Sequence, residues 1–558
     1  MNILIDPISL TQLVFILMTL PIFIWAYTRS KFEAVIFIVL FILSVFYSDL
    51  TLSRAILDLF SFVRIDEYLY KTAGVIDTEL IKSDLTIEAW FSYFLAFVTT
   101  WSVFVILLFN CSRNKILRGT SIKTKEEMRR HLHKKGKAKI PVKIGRFIIP
   151  QKLETRPIGL YGEPGSGKTQ VLLRILKDLA LRVDRAVVVD INGEIFEKIG
   201  KKGDLILSVT HEGVINFSVI AEVQKLTDCE MLASAFIPTG NGESETWNTY
   251  ARTVFSIFIR WCWEHDRTQN RHLIHFIKRA PIEELERLCR GSSAQRLFEK
   301  GSEKMLSNVM SILSQHLTCL ELLNPAADKN SFSIRKWITS ELTTNQKLWI
   351  IYDEFSSKAT LPLRTAWIEI LTREALNLRP DASRRLWLIL DELASNGKIG
   401  SLSQAVSRGR KYGLVPVMAV QSISQLYSIY GRDEATSIMG SIGHAVVLRT
   451  PDPETSDYLS RSIGDKEIQR EQSSYSKNGN STQKIIETKR AVLPSEISLL
   501  IDLNGYIKFA GVGWTKIKIP ILKLQNKNSL FPKIDYQLLL DEIDENESHT
   551  NNLSFDEV

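Results

Sequence analysis

Cysteine is scarce in this chain, and its placement excludes metal sites and redox motifs that depend on closely spaced thiols. The 558-residue sequence holds five cysteines, at positions 111, 229, 262, 289 and 319. No two of them form a CxxC pair, and none joins a histidine at the spacing of a metal site. We therefore expect reduced structural thiols in a reducing compartment.

A basic stretch is missing from the start of the chain. Residues 1–9 contain no lysine or arginine, which argues against a cleavable signal peptide. Three apolar runs follow: Leu10–Tyr27 with 18 residues, Ala34–Ser48 with 15 and Trp90–Phe109 with 20. A bilayer core requires about 17–25 helical residues, so the first and third runs qualify and the second is short. We predict a transmembrane anchor of two or three helices over residues 1–110.

Positive charge is concentrated in one segment. The net charge is +8, but Cys111–Lys143 holds twelve Lys and Arg against two Asp and Glu, so the rest of the chain is slightly acidic. Basic flanks of membrane helices stay in the cytoplasm, which predicts the cytoplasmic side for this segment. Arg29 and Lys31, between the first two runs, favour the same side, whereas the acidic loop Asp49–Ile87 favours the opposite side.

Three crossings with the N-terminus outside satisfy all of these charges. The alternative is two crossings, with the first two runs forming one hairpin that does not fully span. Residues 111–145 are then a basic juxtamembrane linker, which enforces topology, lies on anionic lipid or contacts nucleic acid.

The most specific signal is a complete GxxxxGK[ST] sequence. It reads Gly162, Glu163, Pro164, Gly165, Ser166, Gly167, Lys168, Thr169. The apolar run Ile158–Tyr161 before it is typical of a strand, and Gln170–Leu181 after it has the apolar spacing of a helix. Strand, glycine loop and helix is the geometry that binds ATP: loop N–H groups approach the phosphates, Lys168 neutralises their charge, and the Thr169 hydroxyl ligates Mg²⁺.

A nucleotide site of this kind also requires acids, and the sequence offers two Asp-Glu pairs. Asp353-Glu354 and Asp391-Glu392 each end a run typical of a buried strand. Only the second pair is followed directly by another buried strand, Val415–Val420, which ends at Gln421. We predict that Asp391 binds Mg²⁺, that Glu392 is the general base for water, and that Gln421 senses the γ-phosphate. The first pair is the alternative.

An arginine follows in the run Ser407–Gly413. Arg410 is either a solvated helix end or an arginine that reaches across a subunit interface to the transferred phosphoryl group. The residues alone leave both open.

Several of these runs together resemble one known family, the coupling proteins of conjugative type IV secretion of the TrwB-like group. The matching runs are Arg385–Ser395, Ser407–Gly413, Gln421-Ser422, Gln425-Leu426, Tyr430-Gly431, Val188–Gly193, Ile237-Pro238, Glu245–Trp247, Tyr250 with Arg252, Phe332–Arg335 and Phe509–Gly511. The resemblance spans roughly residues 150 to 525. It is specific because P-loop proteins in general share only the glycine-rich loop and the strand that ends in acids.

The resemblance implies an α/β fold: a RecA-like P-loop motor domain with an inserted all-α domain and an N-terminal transmembrane helical anchor. The domain boundaries are then 146–215 and 339–530 for the motor, and 216–338 for the insertion. Arg410 becomes the arginine finger of a homo-hexamer in the bacterial inner membrane, with the motor in the cytoplasm. The implied partners are DNA, a relaxase or relaxosome proteins, and subunits of the secretion channel.

Two features depart from the family pattern. The family usually has two spanning helices, and three are predicted here. The acidic tail, residues 531–558, lies beyond the region of resemblance, so its role is open.

Three functions fit these observations. The first is an ATP-driven DNA translocase that serves a secretion channel, and the second is a nucleotide-switched docking platform for secreted proteins. The third is a DNA pump of the chromosome-partition or phage-packaging kind. The complete set of Asp391, Glu392 and Gln421 favours hydrolysis over a pure scaffold, and the lack of a recognisable winged-helix reader weakens the third.

Overall fold

The computed structural model describes residues 115–529, except residues 137, 212–213, 241–242, 341–344 and 477–478, together with residue 532. The predicted transmembrane anchor and nearly all of the predicted acidic tail lie outside these residues. Within the described ranges, no helix combines the length and the apolarity that crossing a bilayer requires.

The described residues form both strands and helices. The strands are β1 (Lys115–Gly119), β2 (Ile122–Lys123), β3 (Lys143–Ile144), β4 (Phe147–Ile148), β5 (Ile158–Tyr161), β6 (Arg185–Ile191), β7 (Leu205–Leu207), β8 (Leu348–Tyr352), β9 (Leu386–Leu390), β10 (Leu414–Val420), β11 (His444–Val447), β12 (Asp465–Ser476), β13 (Gly479–Arg490), β14 (Asn504–Phe509) and β15 (Gly513–Lys518). The α-helices are α1 (Lys125–His133), α2 (Lys168–Leu179), α3 (Glu194–Ile199), α4 (Leu226–Phe236), α5 (Glu243–Glu264), α6 (Asn270–Lys278), α7 (Ile282–Cys289), α8 (Glu303–Leu317), α9 (Ile334–Thr339), α10 (Ser357–Asn377), α11 (Leu402–Arg408), α12 (Ile423–Tyr430), α13 (Arg432–Gly440), α14 (Pro453–Ile463) and α15 (Pro494–Ser498).

One ten-stranded sheet dominates the fold. Its order is β2-β15-β14-β11-β5-β10-β9-β6-β8-β7. The strands from β11 to β7 are all parallel, and β14 pairs antiparallel with both β11 and β15. The carboxyl ends of the parallel strands therefore meet at one edge of the sheet, called the carboxyl edge below. The α/β class predicted from the sequence is confirmed.

The parallel strands are buried on both faces, which explains their unbroken apolar sequences. Every residue of β5, β8, β9 and β10 is buried. Side chains alternate across the sheet: Leu386, Leu388 and Leu390 belong to one hydrophobic cluster, whereas Trp387 and Ile389 belong to the cluster on the other face.

Helices α4 to α9 lie between β7 and β8 in the chain. A buried ionic group joins two of these helices to α10, which follows β8, because Arg335 of α9 pairs with Asp228 of α4 and with Glu374 of α10. The segment 216–338 is thus largely helical, as the resemblance implies; its status as a separate domain stays a prediction.

Part of the basic segment is folded. Strand β2 pairs with β15 at the end of the sheet, and α1 buries Met128 and Leu132. Helix α1 begins with a capping box, in which Thr124 and Glu127 each accept the other's backbone N–H. A small sheet has the order β1-β12-β13.

Candidate nucleotide site

The glycine-rich loop predicted from the sequence connects β5 to α2. Gly165 and Gly167 have φ values of +78° and +114°, which glycine adopts without the strain that other residues incur. A Cβ on Gly162 would lie 2.5 Å from the Ser166 Oγ, so the tight turn also requires glycine there. The loop thereby brings the N-terminus of α2, with its unpaired N–H groups and partial positive charge, to the carboxyl edge.

Lys168 is held inside this loop. Its Nζ donates to the carbonyl oxygens of Gly162, at 2.6 Å, and Glu163, at 3.0 Å. The side chain is buried, and burial lowers the pKa of the ammonium group, while Glu392, Asp391 and Glu163 oppose that shift. The lysine is therefore a positive charge fixed beside the loop, with carboxylates close by.

Asp391 and Glu392 follow β9 at the same edge. Burial raises the pKa of Asp391 to about 6, and Lys168 partly offsets this. Burial raises the pKa of Glu392 to about 7, with Lys168 again opposing. The structure thus brings the predicted metal ligand and the predicted base together around the loop lysine.

Gln421 follows β10, the strand between β5 and β9. The Gln421 side chain lies close enough to Glu392 to lower the pKa of its carboxyl group. Nevertheless, neither carboxylate oxygen of Glu392 has a hydrogen-bond partner of good geometry, although both are buried. The carboxylate of Glu392 is therefore available for a further donor, such as a water molecule.

The alternative acid pair, Asp353 and Glu354, lies further from the glycine loop along the sheet. Asp353 and Glu354 follow β8, and β10, β9 and β6 separate that strand from β5. The backbone N–H of Glu354 donates to the Asn192 Oδ1, and that of Phe355 to the Asp353 Oδ1. The carboxylates that act on Lys168 are those of the second pair and of Glu163. This placement favours Asp391 and Glu392 as the functional pair.

Arg410 lies at the opposite edge of the sheet. It belongs to a 3₁₀ turn, Gly409–Tyr412, that precedes β10, whereas Gln421 follows that strand. Seven strand residues at about 3.3 Å each separate the two ends by roughly 23 Å. The guanidinium is exposed, and it lowers the pKa of Arg156, after the larger effect of burial. Arg410 therefore does not reach the glycine loop of its own chain.

Two acids at this site were missed by sequence reasoning. Asp190 lies near the end of β6, and Glu194 begins α3. Besides burial, Asp391 and Glu194 raise the pKa of Asp190, and Glu194 raises the pKa of Asp391. Burial raises the pKa of Asp190 to about 7, and its Oδ1 is buried without a hydrogen-bond partner. The sequence did contain a signal for Asp190, because this acid comes near the end of an apolar run typical of a strand, and that strand, β6, also ends at the carboxyl edge.

Residues from the C-terminal strands also border the loop. Arg449, after β11, pairs with Glu163 and with Asp502, the latter at 2.9 Å. The backbone N–H of Leu503 donates to the Ser166 carbonyl at 3.0 Å. No sequence signal marks these contacts, because they depend on the order of the strands.

The oxygen ligands at this site suit Mg²⁺ only together with the oxygens of a phosphate group. Thr169, in the first turn of α2, and Asp391 offer the hard oxygen ligands that Mg²⁺ prefers. Over the residues that the structure describes, no group of three or more His, Cys, Asp or Glu could hold a metal ion. A Mg²⁺ ion here would therefore depend on nucleotide oxygens for much of its shell.

Comparisons with known proteins agree on one family. Residues 141–520 match the type IV secretion-system coupling protein DNA-binding domain. The coupling protein TraD of Escherichia coli (strain K12) is 26% identical over 434 residues, which cover 76% of this chain and 60% of TraD. The chain thus spans less than two thirds of that relative.

Solved structures give the same result. The unbound conjugative coupling protein TrwBΔN70 superposes with a TM-score of 0.67 at 31% identity, covering 75% of this chain and 96% of that one. TrwB in complex with ADP and Mg²⁺ matches with a TM-score of 0.67 at 30% identity, covering 75% and 98%.

Proposed function

The chain belongs to the coupling proteins of type IV secretion systems, and on this premise we propose that it is a membrane-anchored hexameric ATPase that drives DNA transfer. In this role it couples relaxase-bound DNA, or protein cargo, to the secretion channel. The relative TrwB has been solved with ADP and Mg²⁺, which supports the same ligands here.

The observation that carries this proposal is the convergence of four side chains at the carboxyl edge. Lys168 lies in the loop between two carbonyl oxygens, with Asp391 and Glu392 close enough to oppose its pKa shift, and Gln421 beside Glu392. A charged lysine, a buried base with open acceptor oxygens and an amide are the groups that phosphoryl transfer to water requires.

Each group has a distinct role. Lys168 and the loop N–H groups hold the β- and γ-phosphates, and Glu392 accepts a proton from the attacking water while Gln421 orients it. Thr169 and Asp391 would hold a Mg²⁺ ion together with the phosphates. When bound, Mg²⁺ neutralises charge on the phosphates.

The position of Arg410 supports a ring. An exposed guanidinium at the far edge cannot stabilise charge in its own site, but it can reach the site of a neighbouring copy. Arg156 nearby adds a second positive charge at that edge. Two like charges side by side suit an incoming anion, such as the γ-phosphate of the next subunit.

The remaining organisation is also part of the proposal. Residues 1–110 anchor the chain in the bacterial inner membrane, with residues 146–215 and 339–530 as a RecA-like motor in the cytoplasm. Residues 216–338 are the inserted all-α domain. DNA contact is not sequence-specific, so it weakens as salt increases.

Hydrolysis of ATP by the full-length protein in detergent tests the proposal, measured with and without single-stranded DNA. We expect DNA to stimulate hydrolysis, and we expect Lys168→Ala to abolish it without unfolding the chain. Hydrolysis that DNA leaves unchanged would favour the docking platform. If the unaltered protein hydrolyses no ATP, the proposed function is wrong.

A further inference from the structure

An acid stands in the loop that has to bind phosphate. Glu163 is the second residue of the glycine-rich loop, and its side chain is 29% exposed. Its carboxylate lies close enough to Lys168 to oppose the effect of burial on the pKa of that lysine, as Glu392 and Asp391 also do. Those two acids have proposed roles toward water and Mg²⁺, whereas Glu163 has none. An unneutralised carboxylate at this place would repel the phosphate groups of a nucleotide.

One guanidinium group neutralises this acid. Arg449 comes two residues after the end of β11, and its Nε forms an ion pair with the Glu163 Oε1. The Nε–H does not have the geometry of a hydrogen bond to that oxygen, so the contact acts through the attraction between the two charges. The Arg449 side chain is 35% exposed, and salt screens such a partly buried pair less than an exposed one.

The same guanidinium also holds the segment before β14. Its Nη2 pairs with the Asp502 Oδ1 at 2.9 Å. The next residue, Leu503, donates its backbone N–H to the Ser166 carbonyl oxygen of the loop at 3.0 Å. Its φ of +64° is unfavourable for leucine, and such conformations persist where neighbouring contacts determine them. Arg449 therefore lies between two carboxylates, one in the loop and one in a segment that contacts the loop.

The backbone places Arg449 beside Glu163 independently of the two side chains. Strand β11 pairs in parallel with β5, with Val447 opposite Tyr161. The pairing continues beyond the strands, because the Leu448 N–H donates to the Tyr161 carbonyl at 2.8 Å and the Glu163 N–H to the Arg449 carbonyl at 3.0 Å. We therefore expect loss of the Arg449 side chain to leave the path of the loop in place and to remove the positive charge.

We propose that Arg449 is a positioning residue of the nucleotide site, which neutralises Glu163 so that the loop accepts the phosphates of ATP. This inference rests on the proposed function and adds to it a residue outside the glycine-rich loop and the acid pair. Arg449 acts through Glu163 and does not itself have to reach the nucleotide. The site therefore requires Arg449 only while residue 163 carries a negative charge.

A double-mutant cycle tests this role. The full-length variants Arg449→Ala, Glu163→Gln and Arg449→Ala/Glu163→Gln are titrated in detergent with ATPγS by calorimetry. We expect Arg449→Ala to raise the Kd about tenfold, a change of about 1.4 kcal/mol, because its Glu163 is left unpaired. Glu163→Gln should lower the Kd about threefold, since the acid is lost and the arginine remains. The double variant should bind within about threefold of the unaltered protein, because neither charge is left.

Two further variants are controls. Arg449→Lys keeps a positive charge beside Glu163, so it should raise the Kd by less than about threefold. Arg461→Ala also removes an arginine from an ion pair, but Arg461 pairs with Asp457 on an exposed face of α14, and its loss should leave the Kd unchanged. The unfolding midpoint of each variant, followed by tryptophan fluorescence, shows that the proteins compared are folded.

Two results would overturn the inference. The first is an Arg449→Ala protein that binds ATPγS as tightly as the unaltered protein. The second is a double variant that binds as weakly as Arg449→Ala, because Arg449 would then act through packing or through Asp502. If Arg449→Ala does not fold, Arg449→Gln replaces it in the same cycle. Failure of the unaltered protein to bind ATPγS would instead refute the proposed function itself, which neither of the first two results does.

Discussion

At the scale of the residue, Glu392 has a carboxyl group that burial keeps from ionising easily. Its pKa is raised to about 7, whereas the ordinary value is 4.5. Below about pH 4.5 the group is protonated in both folded and unfolded chains, so it has no effect on stability. As the pH rises above that, the unfolded chain loses the proton first, so ionisation favours unfolding until the folded pKa is passed.

Glu392→Gln is therefore expected to stabilise the fold, and more at pH 8 than at pH 5. The difference should approach about 3 kcal/mol at most, from the size of the shift. Unfolding midpoints followed by tryptophan fluorescence in detergent measure it. An equal effect at both pH values would show that burial does not hold this carboxyl neutral.

The same substitution separates the two acid pairs. Glu392→Gln should bind ATP and trap it unhydrolysed, because the loop and Lys168 remain intact while the base is lost. Glu354→Gln is the matched control, and it should keep normal turnover, since β8 lies away from the loop. Steady-state hydrolysis and nucleotide retention measure both. Loss of turnover in Glu354→Gln alone would reverse the assignment.

At the scale of the element, strands and helices around the loop could be predicted because their signals are local. Strand β5 has the bounds that its apolar run predicts, Ile158–Tyr161, and the helix after the loop differs from its prediction by two residues at each end. The order of the strands in the sheet could not be predicted in the same way, because strand pairing depends on packing between distant segments. For this reason the sequence predicts neither that Leu503 contacts the glycine loop nor how far β8 lies from that loop.

The turn before β10 depends on glycine. Gly413 has a φ of +80°, and a Cβ there would lie 2.5 Å from the Arg384 carbonyl oxygen. Gly413→Ala should therefore lower the unfolding free energy by more than about 1 kcal/mol. Gly440→Ala is the matched control, because Gly440 ends α13 with open space around it, and it should be neutral or stabilising. Chemical denaturation checks both, and similar effects at the two positions would contradict the argument.

At the scale of the whole molecule, the membrane anchor remains a prediction. A reporter fused at about residue 70 should report the periplasm, and one at about residue 125 the cytoplasm. The two- and three-helix alternatives agree on both, so a fusion at Met1 decides between them. An N-terminus inside the cell would exclude three crossings.

The second prediction at this scale concerns the assembly of subunits into a ring. It can be tested because Arg410 and the glycine loop of the same chain lie at opposite edges of the sheet. Arg410→Ala should bind ATP normally but hydrolyse it slowly, since arginine fingers contribute roughly 10³–10⁵ to the rate. Lys168→Ala should be inactive because its own site is lost, although its arginine is intact.

Mixing these two full-length chains in membranes or detergent tests the central claim of a ring motor most directly. The account predicts partial recovery of ATP hydrolysis in mixed oligomers, because some interfaces then pair an intact loop with an intact arginine. Hydrolysis that stays at the level of the separate variants, in oligomers shown to contain both chains, would contradict it.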